Sequence, residues 1–372
     1  MLISFIGIKG VNFGNNAFGG FETVCTELGP RFIRHGYKVT IYCRKNLYNS
    51  TDKLPQQYNG VMLKFINSIE TKNLGTMTHS FLSFVDSIRN KADVIFLFNL
   101  GPGIFLPFVK LFGIKVVTNL DGVEWERSKW SFGARLMFII GAYFNVKFAD
   151  YLIADAEEIR KIYFKKFKRD SIVIPYGAEI RKDLTPDSIR KYGLNPNDYY
   201  LVATRFIPEN NSLFIVKNFI KANTNKKLVV LGKNYYMSSY EKDLLKYNSK
   251  KVLFLGHIND RKLLYEFYYY SYCYIHGHSV GGTNPTMLEA LANSCCVLSL
   301  DTKFNREMLK NGEYGLFFKL NDKSFFKLIN YVENNKDVVD KFKLKSRKRI
   351  INYYNWEIVE DKYLSLLEEL NK

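Results

Sequence analysis

The chain has 372 residues, room for two domains of ordinary size, and 47% of them are apolar, which suits packed cores and excludes a disordered polymer. Lysine and arginine number 54 against 36 acids, and the net charge of +18 points to an anionic partner: nucleic acid, an acidic membrane surface or a phosphorylated substrate. No uninterrupted apolar run reaches the roughly 20 residues of a membrane-spanning helix, and five cysteines without a CxxC pair favour reduced thiols in the cytoplasm over disulfides or zinc.

Residues 2–8 predict a buried strand without the basic leader or cleavage signal of a secretory peptide. A polar loop with Gly10, Gly14, Gly19 and Gly20 follows. Val24, Leu28, Phe32 and Ile33 then recur at helical spacing over 21–35, Gly36 ends the helix, and YKVTIYCR predicts a second strand. This is a β-loop-α-β opening of the doubly wound, nucleotide-binding kind. It lacks G-x-G-x-x-G and an acid at the end of the second strand, so the dinucleotide fingerprint is absent. Glu22, in the first turn, suits the helix dipole.

KFINSI reads as a strand and HSFLSFVDSIR as an amphipathic helix. DVIFLF is a strong buried strand ending in Asn99, Gly101, Pro102 and Gly103; a helix through LPFVKLF and the strand KVVTNL follow. Ligands of parallel sheets bind outside the carboxyl ends of strands, which marks Asn99–Gly103 and Asn119–Gly122. In TNLDGVEWERSKW the polar and aromatic candidates are Asp121, Glu124, Trp125 and Arg127. A tryptophan face suits sugar stacking and carboxylates suit sugar hydroxyls; the plainer reading caps a helix with Asp121 and packs Trp125 in the core. Residues 132–148 carry only Arg135 and Lys147 as charges and read as a core helix. In the helix of ADYLIADAEEIRKIYFKKF, Lys161, Lys165, Lys166, Lys168 and Arg169 interleave with Tyr163, Phe164 and Phe167. That pattern suits an anionic membrane interface, or equally a solvated face with its aromatics inward. SIVIPYGAE predicts a strand, and the polar, proline-bearing RKDLTPDSIRKYGLNPND after it suits a connection out of a first domain, 1–177.

The second domain, 178–353, opens with YYLVATRF, ending at Arg205. KLVVLG leads to Lys233, and VLFLGHI to Gly256. After the helix RKLLYEFYYY comes YCYIHGHSVGGTNPTMLEAL: a short strand, a polar glycine turn, then a helix with Pro285 at its first position and Asn284 or Thr283 as cap. His278, Gly281, Gly282, Thr283 and Asn284 form the turn. Glycines admit a ligand close to the backbone, and the free N–H groups of a helix start attract a phosphate or diphosphate. Glu289, about one turn in, can bind sugar hydroxyls or sit in a buried ion pair. CCVLSLD is a further strand, and NWEIVEDKYLSLLEEL a final helix, 354–372.

HGHSVGGTNPTMLEAL resembles the C-terminal motif of retaining glycosyltransferases of family 4, and more closely a bacterial rhamnosyltransferase branch of surface-polysaccharide synthesis with HGH-x-x-GGTNP-x-x-LEAL. FGGFET, ELGPR, the TN-x-DG-x-EW-x-R-x-KW block, VIP-x-G and FNRE resemble that branch too, in the same order over most of the chain. The resemblance implies an α/β protein of GT-B fold: two doubly wound Rossmann-like domains facing a central cleft, the last helix returning to the first. It implies a donor site of Arg205, Lys233, Gly256, His278, Gly281, Gly282, Thr283, Asn284 and Glu289. An acceptor and phosphate side of Gly19, Gly20, Phe21, Glu22, Asn119, Glu124 and Trp125 follows, with Asp121, Arg205 and Glu289 as the reacting set.

Two departures stand out. The wider family has another glutamate where this chain has Gly281, and a lysine soon after the arginine where it has Glu209, Asn210 and Asn211; the branch shares both. The implied reaction moves rhamnose from dTDP-rhamnose to a lipid-linked saccharide, without metal or cofactor, in a cytoplasmic protein touching the anionic inner face of the membrane. A nucleotide-sugar epimerase of the same fold is the alternative, and a nucleic-acid-binding protein ranks last, since it leaves two glycine loops unexplained.

Overall fold

The computed structural model describes residues 1–11, 19–48, 54–69, 71, 74–120, 122–126, 131–233 and 237–372. The chain divides into two units. The first comprises Met1–Tyr176 with Trp356–Lys372, and the second Gly177–Asn355.

In the first unit the apolar runs become strands β1 (Leu2–Ile6), β2 (Lys38–Arg44), β3 (Gln57–Tyr58), β4 (Val61–Ile66), β5 (Val94–Phe98), β6 (Lys115–Leu120), β7 (Tyr151–Ala154) and β8 (Ile172–Val173). Their order is β3-β4-β2-β1-β5-β6-β7-β8, and every pair is parallel except β3 with β4. KFINSI thus overlaps only the end of β4, which begins at Val61. Right-handed crossovers put helix Gly20–Arg34 on one face of the sheet and helices Gly75–Arg89, Leu106–Lys110, Phe132–Phe148 and Glu157–Phe167 on the other.

Phe5 centres the core, with Phe32, Phe96 and Phe98 edge-on around it at 5.6–6.0 Å. The last helix, Trp356–Leu370, supplies a buried Tyr363 against Phe32 and Phe96. It is fastened to helix Gly20–Arg34 by Glu360, which lies 3.3 Å from Arg31 and 3.0 Å from His35, while the Arg31 guanidinium covers the Trp356 ring.

The expected core helix 132–148 is only half inside. Gly141, Ala142 and Asn145 face inward, where a Cβ on Gly141 would come within 2.3 Å of the Leu100 carbonyl, and Asn145 donates to that carbonyl at 2.9 Å. Phe132, Leu136, Ile140 and Tyr143 face solvent.

The second unit is a six-stranded, all-parallel sheet: β9 (Tyr199–Ala203), β10 (Lys227–Leu231), β11 (Val252–Gly256), β12 (Cys273–His276), β13 (Val297–Leu300) and β14 (Gly315–Phe318), in the order β11-β10-β9-β12-β13-β14. In each sheet the winding reverses once, between β1 and β5 in the first and between β9 and β12 in the second, and in parallel sheets such reversals are where ligands bind, at the carboxyl ends of the strands. All five cysteines are free and buried.

Candidate functional site

The reversal point of the second unit gathers the donor-side residues. The loop leaving β9 and the loop leaving β12 are laced together by side-chain amides. Asn211 Nδ2 donates to the Gly277 carbonyl and to Ser279 Oγ, both at 2.7 Å, and the Ser279 N–H donates to the Glu209 carbonyl at 2.9 Å. Asn210 Nδ2 donates to Thr204 Oγ1 at 2.7 Å and to the Arg205 carbonyl at 2.9 Å, and Thr204 Oγ1 meets His278 Nε2 at 3.2 Å. Asn305 Nδ2 holds the turn from the β13 side, on the His278 carbonyl at 3.0 Å. Gly277 is required here, because a Cβ would stand 2.5 Å from the Asn210 carbonyl oxygen.

Asn210 and Asn211, at the place where the resembling family has a lysine, therefore fasten loops instead of presenting charge. The sequence pattern did not reveal Thr204 or the fastening role of Asn211; the legible signal was an Asn pair in the loop that follows a strand end.

The glycine turn feeds helix Pro285–Ala292. Asn284 is its cap, accepting from the Thr286 N–H at 3.2 Å and Thr286 Oγ1 at 2.8 Å, with Pro285 first in the helix. Behind it, Tyr274 Oη donates to Thr286 Oγ1 at 3.0 Å and lies 3.2 Å from His276 Nδ1. The His276 ring stacks on His278 at 4.2 Å, and burial lowers His276 to about 3, so it is neutral at ordinary pH. Gly281, at φ +127°, has open space where a Cβ would be: the conformation demands glycine there, and the backbone stays accessible.

Glu289 lies a turn into this helix with Tyr268 and Arg261 beside it. Burial raises its carboxyl, opposed by the Arg261 charge and the Tyr268 hydroxyl. Arg261 Nη2 in turn donates to Tyr265 Oη at 2.6 Å. Arg261, Tyr265 and Tyr268 recur on one face of helix Arg261–Tyr270, a helical spacing readable in RKLLYEFYYY though their pairing with Glu289 was not.

Arg205 and Lys233 are exposed at the ends of β9 and β10. Lys233 neighbours His257, which burial and then the Lys233 charge lower. Gly232 and Gly256 join their turns, N–H to carbonyl at 2.7 Å, and a Cβ on Gly232 (φ +130°) would lie 1.8 Å from the Thr204 carbonyl oxygen.

In the first unit, Gly19 and Gly20 begin helix Gly20–Arg34, and Glu22 closes the loop onto it. Its Oε1 accepts from the Lys9 N–H and its Oε2 from the Gly19 N–H, each at 2.9 Å. Glu22 is 7% exposed, so its carboxylate is a backbone clamp. Phe21 packs on Phe98 at 5.5 Å and on Tyr176 at 6.3 Å. Across the reversal point, Asn99 holds φ +110°, an uncommon backbone for a residue with a side chain, and its Oδ1 accepts from the Gly101 N–H at 3.2 Å. Asn119 ends β6, where its Oδ1 accepts from Tyr363 Oη at 2.8 Å and its buried Nδ2 has no partner among the described residues.

Glu124 and Trp125 share a short turn, Glu124–Glu126, and both are buried. Trp125 lies against Tyr163 at 5.3 Å and Phe167 at 6.2 Å, with the Lys166 ammonium over its ring, so the packed alternative describes it better than an open stacking face. Asp121 and Arg127 lie outside the described residues.

Residues 185–354 match the family Glycosyl transferases group 1, and residues 2–179 match a domain of unknown function (DUF1972). No curated protein matches in sequence. Among solved structures, the sucrose-phosphate synthase of Thermosynechococcus elongatus is similar with a TM-score of 0.84 at 16% identity, over 99% of this chain and 98% of that one. A glycosyltransferase from Rickettsia africae gives 0.75 at 15% identity, over 100% and 98%. Anabaena HepE in complex with UDP-glucose gives 0.78 at 13% identity, over 99% and 100%. The chain thus has the GT-B fold and carries a glycosyl transferases group 1 domain over its second half, which together support a glycosyltransferase.

Proposed function

We propose that the protein is a retaining glycosyltransferase that takes a sugar from a nucleotide-diphosphate donor held by its second unit. The observation that carries the reading is the amide-laced turn Gly277–Asn284 opening into the Asn284-capped helix at the sheet reversal. Glycine-turn N–H groups and a helix start there suit a diphosphate, and the exposed Arg205 and Lys233 supply positive charge at neighbouring strand ends. Glu289, whose carboxyl burial raises and the neighbouring Arg261 charge opposes, suits the hydroxyls of a bound sugar. HepE is solved with UDP-glucose and a second form with UDP and glucose, which supports a nucleotide sugar as the guest class.

In the displacement proposed, the bond from the sugar's anomeric carbon to the donor phosphate breaks as an acceptor hydroxyl bonds to that carbon from the same face. The acceptor's proton passes to the leaving phosphate oxygen. Arg205 and the turn amides take up the charge developing on the diphosphate. No protein nucleophile and no metal or other cofactor enters this scheme. Asp121 is assigned to orienting the acceptor, with Gly19, Gly20 and Asn119 on the acceptor side.

The donor is proposed to be dTDP-rhamnose, on the resemblance of the HGH, GGTNP and FNRE blocks. The acceptor is proposed to be a lipid-linked saccharide met at the inner, anionic face of the membrane, and the protein a cytoplasmic one that touches that face.

The test is release of nucleotide from dTDP-rhamnose, UDP-glucose, UDP-galactose and GDP-mannose with a lipid-linked saccharide extract, with and without EDTA. The expected result is acceptor-dependent, EDTA-resistant release of dTDP, lowered about a hundredfold or more in Arg205→Ala and also in Glu289→Ala. Turnover of another donor removes the rhamnose assignment, and conversion of the donor without acceptor makes the protein an epimerase.

A further inference from the structure

The two helical faces of the first unit differ in kind. On helices Gly20–Arg34 and Trp356–Leu370, no large apolar side chain is exposed. The opposite layer exposes many. Phe132 is 83% exposed and Leu111 81%, with Phe112, Leu136, Ile140 and Tyr143 open beside them.

These side chains belong to one layer of neighbouring helices. Phe81 meets Phe105 at 5.2 Å, Phe108 meets Phe112 at 5.3 Å, and helix Phe132–Phe148 lies against the Gly101–Phe105 turn through Gly141 and Asn145. An apolar groove of about 650 Å³, lined by Ile69, Met77, Phe81, Leu82 and Phe105, continues it. Isolated exposed apolar residues are ordinary; a contiguous field of them on one face marks an interaction surface.

The charge around the field selects the partner. Residues 99–115 and 131–149 contain no acid and four bases, Lys110, Lys115, Arg135 and Lys147, of which Lys110 is paired with Asp150 at 2.7 Å. The Lys147 ammonium stands over the Tyr143 and Phe148 rings at 5.9 and 5.6 Å. Arg169 ties the next helix alongside by donating to the Ala149 and Asp150 carbonyls, and that helix exposes Lys165 and Lys166, with Lys161 paired to Glu158 at 2.7 Å and Phe164 half-exposed. An apolar plateau edged by lysines fits acyl chains below anionic headgroups. A second copy fits poorly, because a two-fold contact would bring two lysine rows together. Among the described residues no helix is long and apolar enough to cross a membrane, so the contact lies in the interfacial plane.

We propose that this layer, from Phe81 through Leu111 and Phe132 to Tyr143, seats the protein on an anionic lipid bilayer. The proposal rests on the reading above in one respect: a lipid-linked acceptor gives the contact its purpose. Its apolar element is new, helix Phe132–Phe148 with the 105–112 segment, and the lysine-rich helix Glu157–Phe167 becomes its charged margin.

The test needs neither donor nor acceptor. The full chain is floated with vesicles of phosphatidylcholine alone or with phosphatidylglycerol. Binding is expected to the anionic vesicles and to weaken with salt. Leu111→Ser with Phe132→Ser is expected to lower the partition coefficient by about tenfold or more. Lys147→Glu with Lys165→Glu is expected to abolish the preference for anionic lipid. Leu344→Ser, at a residue 80% exposed in the second unit, is the control and is expected to change nothing. Absence of vesicle binding overturns the proposal, as does equal loss in Leu344→Ser. A concentration-dependent dimer in sedimentation that the Leu111 and Phe132 substitutions dissolve also overturns it. The glycosyltransferase reading is judged separately, by nucleotide release from free donor, which Leu111→Ser with Phe132→Ser is expected to leave intact.

Discussion

The two sheet reversals solve one problem by different chemistry. In the second unit the loops leaving β9 and β12 are held by several neutral amides, with Asn210, Asn211 and Asn305 each making two or more bonds. In the first unit a carboxylate, Glu22, holds both ends of the glycine loop, with the Arg44 N–H on the Lys9 carbonyl at 2.8 Å and Tyr48 Oη on the Val11 carbonyl at 3.2 Å beside it. Neutral amides add no negative charge beside a crevice proposed to hold a diphosphate. A carboxylate clamp puts a larger share of the fastening in one residue, so loss of Glu22 should cost the first unit more than loss of one amide costs the second.

The largest effect that tests this contrast is steric. Gly7, at φ +96°, would place a Cβ 1.9 Å from the Phe98 carbonyl oxygen, and Gly232 is placed almost identically against Thr204. Gly7→Ala and Gly232→Ala are each expected to cost about 3 kcal/mol or more. Hydrogen exchange should locate the damage in the first and second unit respectively, and a uniform loss across both units would refute separate fastening.

Next come the fasteners. Glu22→Ala is expected to cost about 2–3 kcal/mol, and Asn211→Ala about 1–2 kcal/mol, since bonds to a charged acceptor are worth more than neutral ones. Equal costs in denaturant titration would erase the distinction drawn here.

Acid sharpens the comparison with one histidine in each unit. Burial lowers His79 to about 4, the Arg44 charge adding to it, and lowers His276 to about 3, both from 6.5. Each folded value is depressed, so the stability each contributes is present above pH 6.5 and drains as pH falls towards the folded value. The slope is at most about 1.4 kcal/mol per pH unit per histidine. His276→Phe should flatten the acid limb of the second unit, and His79→Phe that of the first.

The smallest effect belongs to Glu289. Its folded value is raised, so the stability it contributes is present below about pH 4.5 and lost as pH rises through the folded value. Glu289→Gln should therefore raise thermal stability slightly at neutral pH while lowering donor affinity. A drop in both would mean that the ionised carboxylate is structural.

The repeating strand-and-helix pattern was legible because it is local. KVVTNL and RKLLYEFYYY carry their patterns within themselves, and Asn284–Pro285 announces a helix start. GT-B architecture came from motif resemblance and not from those patterns. Helix Ser212–Lys221 and strand β14 went unread: the first follows a left-handed Asn211 that hides its start, and the second is a four-residue strand. The surroundings of Trp125 depend on Tyr163 and Phe167 from a later helix, and the partners of Asn211 on a loop after β12. Contacts between distant segments leave no period in the sequence. The exposed face of helix Phe132–Phe148 was hidden for the opposite reason: it is apolar nearly all round, and composition alone suggested full burial.

The last helix has a consequence in time. Tyr363 fills the core between Phe32 and Phe96, and Glu360 gathers Arg31 and His35, yet the ribosome makes the whole of Gly177–Asn355 before either residue exists. The unit begun first is completed last. During translation the nascent first unit carries an unfilled apolar slot, and an arrested or prematurely terminated chain would present that slot to chaperones while its second unit could already be folded.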